Sequence, residues 1–154
     1  RSSIAMIGQN LGAGRPDRAR RAAFTIGLAV LAVCGLILGL GAIWREGILA
    51  LYTTEAAVIA EGVRAYLILA LGMLLYTVSL CFEYGLVGAG DALSPMVINI
   101  IYLAVLQIPL VYALGRLTNL GSMGIWWAIA LSMACRAAMS FGRFLQGEWQ
   151  TRAF

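Results

Sequence analysis

The chain has 154 residues, of which 62% are hydrophobic and only 12% are charged. Soluble domains carry about 25% charged residues, so this composition indicates a membrane-embedded protein. There is no histidine, the side chain most often used for acid–base catalysis and metal binding. We therefore predict no enzyme active site, no metal site and no cofactor. All 11 basic residues are arginines. Most of them flank apolar runs, which favours lipid headgroups over nucleic acid as their partner.

Four segments are long and apolar enough to cross a bilayer, since a spanning helix needs about 20 apolar residues. Strands of a membrane barrel would alternate polar and apolar residues, and these segments do not. The sequence therefore predicts an all-α, polytopic transmembrane helix bundle with four full spans plus the end of a fifth. Because the chain starts within an apolar element at Arg1, we expect it to be the C-terminal part of a larger protein. The predicted elements are 1–12 for the end of an earlier helix and 22–44, 65–86, 96–114 and 124–144 for the spans.

Local residues predict where helices begin and end. The stretch "GAGRPD" at 12–17 ends one helix with glycines and starts the next with Pro16 near its first position. Ser94 before Pro95 has the form of an N-cap followed by a proline at the first helical position. Thr53 or Thr54 is placed to cap a short polar helix through Glu55 and Glu61.

The distribution of arginines predicts the orientation of the chain in the membrane, because cytoplasmic loops carry an excess of basic residues. The loop after Gly14 holds four arginines and the C-terminal tail adds more, and an even number of spans separates the two. We expect both to lie on the cytoplasmic side of the plasma membrane, with the 53–64 and Arg116 loops on the other side.

A weak internal repeat is present. "NLGAGRPD" and "GLVGAGDALSP" each end a helix that runs toward the arginine-rich side, and their GAG tripeptides are 76 residues apart. Together with "LYTTEAAVI" (51–59) and "GRFLQGEWQ" (142–150), these stretches resemble the multidrug and toxic compound extrusion (MATE) transporters. The motifs occur in the family's order and at its spacing over nearly the whole chain.

The resemblance implies a twelve-helix transporter of two six-helix lobes, of which this chain, 1–154, would be most of the C-terminal lobe. It implies export of small cationic or amphipathic drugs in exchange for H⁺ or Na⁺, and a missing N-terminal lobe of the same chain as partner. We expect that the fragment does not transport alone. It also implies that the motif residues shape the loops: Gln9, Gly12, Gly14, Gly88, Gly90 and Asp91. From its position, Asp91 is placed to cap the next helix or to bind a loop arginine.

Glu83 is the main candidate for chemistry, because a charged side chain deep in a membrane costs about 2.5–3.5 kcal/mol and needs a cavity or a partner. Glu83 lies eight residues before Asp91, and Arg136 lies seven residues before Arg143. At about 1.5 Å per residue, both would sit about 10–12 Å from their helix ends. Three interpretations remain open: a Glu83–Arg136 ion pair, a carboxylate that binds a transported ion, or a residue near water at the cytoplasmic mouth.

Tyr76 occupies the position where, by the resemblance, one branch of the family has the carboxylate of the second lobe that binds the coupling cation. The substitution favours coupling through the missing lobe and leaves Tyr76 as a cavity-lining candidate. Four more candidates lie on the third span, where they form either a polar cavity wall or interhelical hydrogen bonds. Asn99 and Gln107 are expected on one face of the helix, and Pro109 is expected to kink it. The four candidates are Asn99, Tyr102, Gln107 and Pro109.

Two alternatives to drug efflux are a lipid-linked saccharide flippase of the same superfamily and a non-transporting membrane scaffold. A flippase cavity should hold several inward-facing arginines for pyrophosphate, whereas only Arg136 lies clearly within a span. An intramembrane glutamate and a proline in mid-span argue against a passive scaffold.

Overall fold

The computed structural model describes residues 2–147, and every regular element in this range is helical. The predicted all-α class is confirmed, and four helical stretches are long and apolar enough to cross a membrane: Pro16–Ile43, Ala56–Gly88, Leu93–Arg116 and Ser122–Leu145. Each overlaps one of the four predicted spans, although the first helix ends at Ile43, one residue before the end of the predicted span 22–44. The elements are α1 (Ser2–Gly12), α2 (Pro16–Ile43), α3 (Arg45–Ala50), α4 (Ala56–Gly88), α5 (Leu93–Ile100), a π-helical segment (Ile101–Gln107), α6 (Ile108–Arg116) and α7 (Ser122–Leu145).

Helix α4 is the centre of the bundle. Its most extensive interface is with α7, and it also contacts α1, α2 and α5. A tightly packed cluster lies at the end of the bundle where the two GAG motifs occur. There, Phe82 and Phe144 pack with ring centroids 5.0 Å apart, beside the fully buried Ile7. Small residues allow close helix approach in membranes, and Gly72 lets α4 pack directly against Ala130 of α7.

Both GAG motifs end a helix with the same turn. Gly14 and Gly90 have positive φ values of 67° and 82°. In each turn the amide after the last glycine donates to a carbonyl five residues back, from Arg15 to Asn10 and from Asp91 to Leu86. This is the Schellman arrangement, in which a left-handed residue satisfies the last carbonyls of the helix. The weak sequence repeat therefore corresponds to a repeated structural element.

Replacing Gly14 with alanine should lower the free energy of unfolding by about 1–2 kcal/mol, because an alanine at positive φ brings its Cβ close to the following carbonyl. Asparagine tolerates this conformation better, so Gly14→Asn should cost less. Thermal unfolding of the purified full-length protein in detergent measures the difference. Equal stability of the two variants would contradict a conformational role for Gly14.

Two predicted helix starts are wrong. Helix α5 begins at Leu93, and its N-terminal amides are capped by Asp91, whose carboxylate accepts from the Ser94 amide (3.2 Å) and hydroxyl (2.6 Å). Ser94, the predicted cap, is instead the donor to this carboxylate, and Asp91 satisfies an amide of the first helical turn from three residues earlier. The second wrong start is the separate polar helix after Thr53.

Residues 56–64 are the first turns of α4, because no proline or turn interrupts the hydrogen-bond ladder before Ala65. Thr53 does not cap this helix: its hydroxyl accepts a hydrogen bond from the Glu55 amide, just before the helix starts. Pro16, in contrast, occupies the start of α2 as predicted.

The third span is not a continuous α-helix. Residues 101–107 form a π-helix that ends two residues before Pro109. Pro109 lacks an amide hydrogen and cannot donate to a carbonyl of the preceding turn. The predicted disturbance by Pro109 thus takes the form of a widened turn on its N-terminal side. This segment carries Tyr102 into the bundle.

Candidate functional site

Glu83 and Arg136 form a buried, two-pronged ion pair between α4 and α7. Nη2 of Arg136 lies 2.7 Å from Oε2 of Glu83, and Nε lies 2.9 Å from Oε1. Each residue is only 5% exposed. Paired guanidinium–carboxylate bonds of this kind are the stronger class of hydrogen bond and fix both side chains in orientation. The contact expected from their equal depth is therefore present.

Two serines complete the coordination of the Glu83 carboxylate. Oε1 of Glu83 accepts from Ser79 at 2.6 Å and from Ser140 at 2.8 Å, and the two hydroxyl oxygens are 3.0 Å apart. Sequence reasoning missed both, although the signal was available. Ser79 lies four residues before Glu83 and Ser140 four residues after Arg136, so each shares a helix face with its neighbour.

Two tyrosine rings contact the guanidinium group of Arg136. Its Cζ atom is 4.7 Å from the ring centre of Tyr76 and 5.0 Å from that of Tyr102. A guanidinium this close to an aromatic face is attracted by the ring quadrupole, most strongly where water is excluded. Arg136 is thus held by a carboxylate and two rings, contributed by α4 and by the π segment.

We call Tyr76, Ser79, Glu83, Tyr102, Arg136 and Ser140 the ion-pair cluster. Its charges are matched one to one, and Oε1 of Glu83 already accepts three hydrogen bonds. Such an arrangement is suited to joining α4, α7 and the third span at one depth. Removing one of its two charges would leave the other buried without compensation, which is the costly situation for buried pairs.

The structure does not bring the remaining third-span candidates into the cluster. Asn99 and Pro109 are exposed, and Gln107 is half-buried in a surface groove. The expectation that Asn99 and Gln107 share one face rested on α-helical spacing, whereas six of the seven residues between them belong to the π segment. Among these four candidates, only Tyr102 joins Glu83 and Arg136.

The loop-motif residues build the helix ends. Gly12 ends α1 and Gly14 and Gly90 adopt the left-handed turns, while Gln9 is exposed and its carbonyl accepts from the Ala13 amide. Gly88 lies against the backbone of α1, where an added Cβ would be 2.7 Å from the Ile4 carbonyl oxygen.

Asp91 caps the next helix, and the arginine that it contacts lies in helix α7 and not in a loop. Its carboxylate caps α5 and lies 3.5 Å from Nη2 of Arg143, in α7. Ser94 also accepts a hydrogen bond from Arg143 at 3.0 Å. The GAGD turn is therefore tied to the end of the last span through a charged side chain.

Comparison with known proteins identifies the family. A family model described as MatE matches residues 2–113. The probable multidrug resistance protein NorM of Pseudomonas aeruginosa is 30% identical over 94% of the chain and 30% of its own length. A protein of the same name from Thermotoga maritima is 22% identical over 96% of the chain and 32% of its own length. Protein DETOXIFICATION 41 of Arabidopsis thaliana is 22% identical over 93% of the chain and 28% of its own length.

The chain therefore spans about three-tenths of the length of these curated relatives. No solved structure matches it significantly. Its four apolar helices make it a multi-pass membrane protein, in contact with the lipid bilayer. Since the family model covers well over half of the chain, the chain belongs to the MatE family, the multidrug and toxic compound extrusion transporters that its motifs resemble.

Proposed function

We propose that this chain is part of a multidrug efflux transporter that exports small cationic or amphipathic compounds. The observation that carries the proposal is the MatE match over residues 2–113, together with relatives named as multidrug resistance and detoxification proteins. The transporter would work by antiport, driven by inward flow of H⁺ or Na⁺. It would lie in the plasma membrane with its arginine-rich loop and its C-terminus in the cytoplasm, and would need a preceding lobe of the same chain.

Glu83 takes a structural role in this proposal. Its carboxylate is engaged by Arg136, Ser79 and Ser140, which supports a coupling site elsewhere, in the preceding lobe. Tyr76 contacts Arg136 instead of providing a carboxylate at that position. The ion-pair cluster would hold the helices of this lobe together, so that they move as one body.

The alternative of a saccharide flippase is less well supported. It would need several arginines available to bind pyrophosphate, whereas Arg136, deep within α7, is bound to Glu83 and two rings. A non-transporting scaffold is distinguished from both by the absence of any gradient-driven flux.

Cells expressing the full-length protein should expel a fluorescent cationic dye when an H⁺ or Na⁺ gradient is imposed. Glu83→Gln should reduce efflux only in proportion to a lower amount of protein in the membrane. Efflux per molecule should stay close to that of the wild type, because the carboxylate is not assigned to coupling. The matched control is Glu46→Gln, which changes an exposed carboxylate in α3.

Two results would count against these assignments. Loss of efflux by Glu83→Gln at normal abundance would place Glu83 in the coupling step. No efflux by the wild type with either gradient and several dyes would contradict drug antiport and leave the flippase and the scaffold as the alternatives.

A further inference from the structure

A groove of about 540 Å³ runs along the surface between the third and fourth spans. Its lining is mainly apolar, with Leu103, Ile108, Val111 and Ile125 among its residues, and it reaches Arg116 at one end. This volume lies within the range of about 300–1,000 Å³ that is usual for small-molecule sites. The ion-pair cluster contributes none of the lining residues, so the groove is a separate feature.

The groove has a fixed wall because α6 and α7 touch closely at the Arg116 end. A Cβ on Gly115 would lie 2.9 Å from Cγ1 of Ile125. A Cβ on Gly124 would overlap the carbonyl oxygen of Leu114. The two glycines thus set the distance between α6 and α7, because neither has a side chain that would hold the helices apart.

The length of the groove matches one leaflet of a bilayer. Leu103 and Arg116 are thirteen residues apart, which corresponds to somewhat less than the ~20 Å of a regular α-helix, because 103–107 belong to the wider π segment. Half of a bilayer, including its headgroups, is about 20–22 Å thick. With Arg116 at the level of the headgroups, in the leaflet opposite the arginine-rich loop, Leu103 would lie near the middle of the membrane.

The charge of the groove is positive and confined to one end. Arg116 is its single charged lining residue, and it is exposed without a hydrogen bond or ion pair to any residue in 2–147. Leu103 and Ile108 present apolar side chains that are 50% and 61% exposed. A second groove, at the other end of the bundle, contains Arg143 together with Asp91, so its charge is offset.

We propose that the groove between the third and fourth spans binds one anionic phospholipid, with its phosphate at Arg116 and an acyl chain along Ile108 and Val111. The positive charge of Arg116 favours an anionic headgroup, and the apolar length of the groove fits an acyl chain. Gln107 lies nine residues from Arg116, about 13 Å deeper, beside the acyl chain. The lipid needs no hydrogen bond from it. This inference is independent of what the protein transports.

Native mass spectrometry of the purified full-length protein tests the inference, using phosphatidylglycerol and phosphatidylcholine as probes. We expect one phosphatidylglycerol adduct that survives delipidation and a much weaker phosphatidylcholine adduct. Arg116→Gln should lower the retained fraction about fivefold, the effect of one basic residue at a membrane surface. Ile108→Trp, which fills the groove from an exposed position, should lower retention of both lipids.

Arg64→Gln is the matched control, since Arg64 is an exposed arginine near the same end of the bundle but outside the groove. Gln107→Leu should leave retention unchanged. Loss of binding in Gln107→Leu would indicate a polar solute held at both ends, and would overturn the proposal. Equal retention of both lipids, or no difference between Arg116→Gln and Arg64→Gln, would overturn it as well. The readout requires no transport, so it succeeds or fails separately from dye efflux.

Discussion

Replacing Arg136 with methionine should lower the free energy of unfolding by about 3–5 kcal/mol, the usual cost of removing one partner of a buried ion pair. The variant would leave the Glu83 carboxylate inside the bundle with two serine hydroxyls and no cation. The Tyr76 and Tyr102 rings would also lose the guanidinium between α4 and the third span. Unfolding of the purified full-length protein by a denaturing detergent measures the loss.

The double variant Glu83→Gln/Arg136→Met should recover much of this stability, because it removes both charges together and buried pairs contribute little net stability over neutral residues. Arg64→Met, at an exposed position on α4, serves as the control and should change stability by less than about 0.5 kcal/mol. If Arg136→Met were as stable as this control, the pair would not be needed to hold α4 and α7 together.

Gly88→Ala should destabilise the protein by about 1–3 kcal/mol, because the new methyl group would overlap backbone atoms that cannot move aside. An added Cβ would be 2.7 Å from the Ile4 carbonyl oxygen and 3.1 Å from its Cα. Helices α1 and α4 would have to separate, opening the packed cluster around Ile7 and Leu86. The change should appear as a lower temperature of thermal unfolding.

Gly12→Ala is a closely matched control, because Gly12 holds the same place in the first GAG motif. Nothing lies within 4 Å of its hypothetical Cβ, so alanine there should be neutral or slightly stabilising through its higher helix propensity. Similar effects of the two substitutions would show that Gly88 matters for its turn and not for the contact with α1.

The sequence was sufficient to predict four membrane-spanning segments, and it offered Arg136 as one of three interpretations of Glu83. A charge in mid-span needs compensation, and only Arg136 lies at a comparable depth. Ser79 and Ser140 were also accessible to this reasoning, since each lies one helical turn from a member of the pair. They were missed because serine is tolerated in membrane helices without a specific partner.

The position of Tyr102 could not be predicted in the same way. Helical periodicity assigns faces only where the turn is α-helical, and the π segment from Ile101 to Gln107 changes the turn inside the third span. The cap of α5 was misassigned because Ser94–Pro95 matches a common starting pattern. Asp91, three residues earlier, accepts from the amide of Ser94 itself, so the cap lies three residues before the predicted one.

The closeness of the Glu83–Arg136 pair has an electrical consequence for any movement of this lobe. A single charge that crosses the membrane field exchanges about 2.3 kcal/mol with each 100 mV of membrane potential. The opposite charges of Glu83 and Arg136 are held 2.7 Å apart and move together. Their contributions cancel, so the pair adds almost no gating charge. Rocking of the helices that carry them would be nearly independent of voltage at this depth.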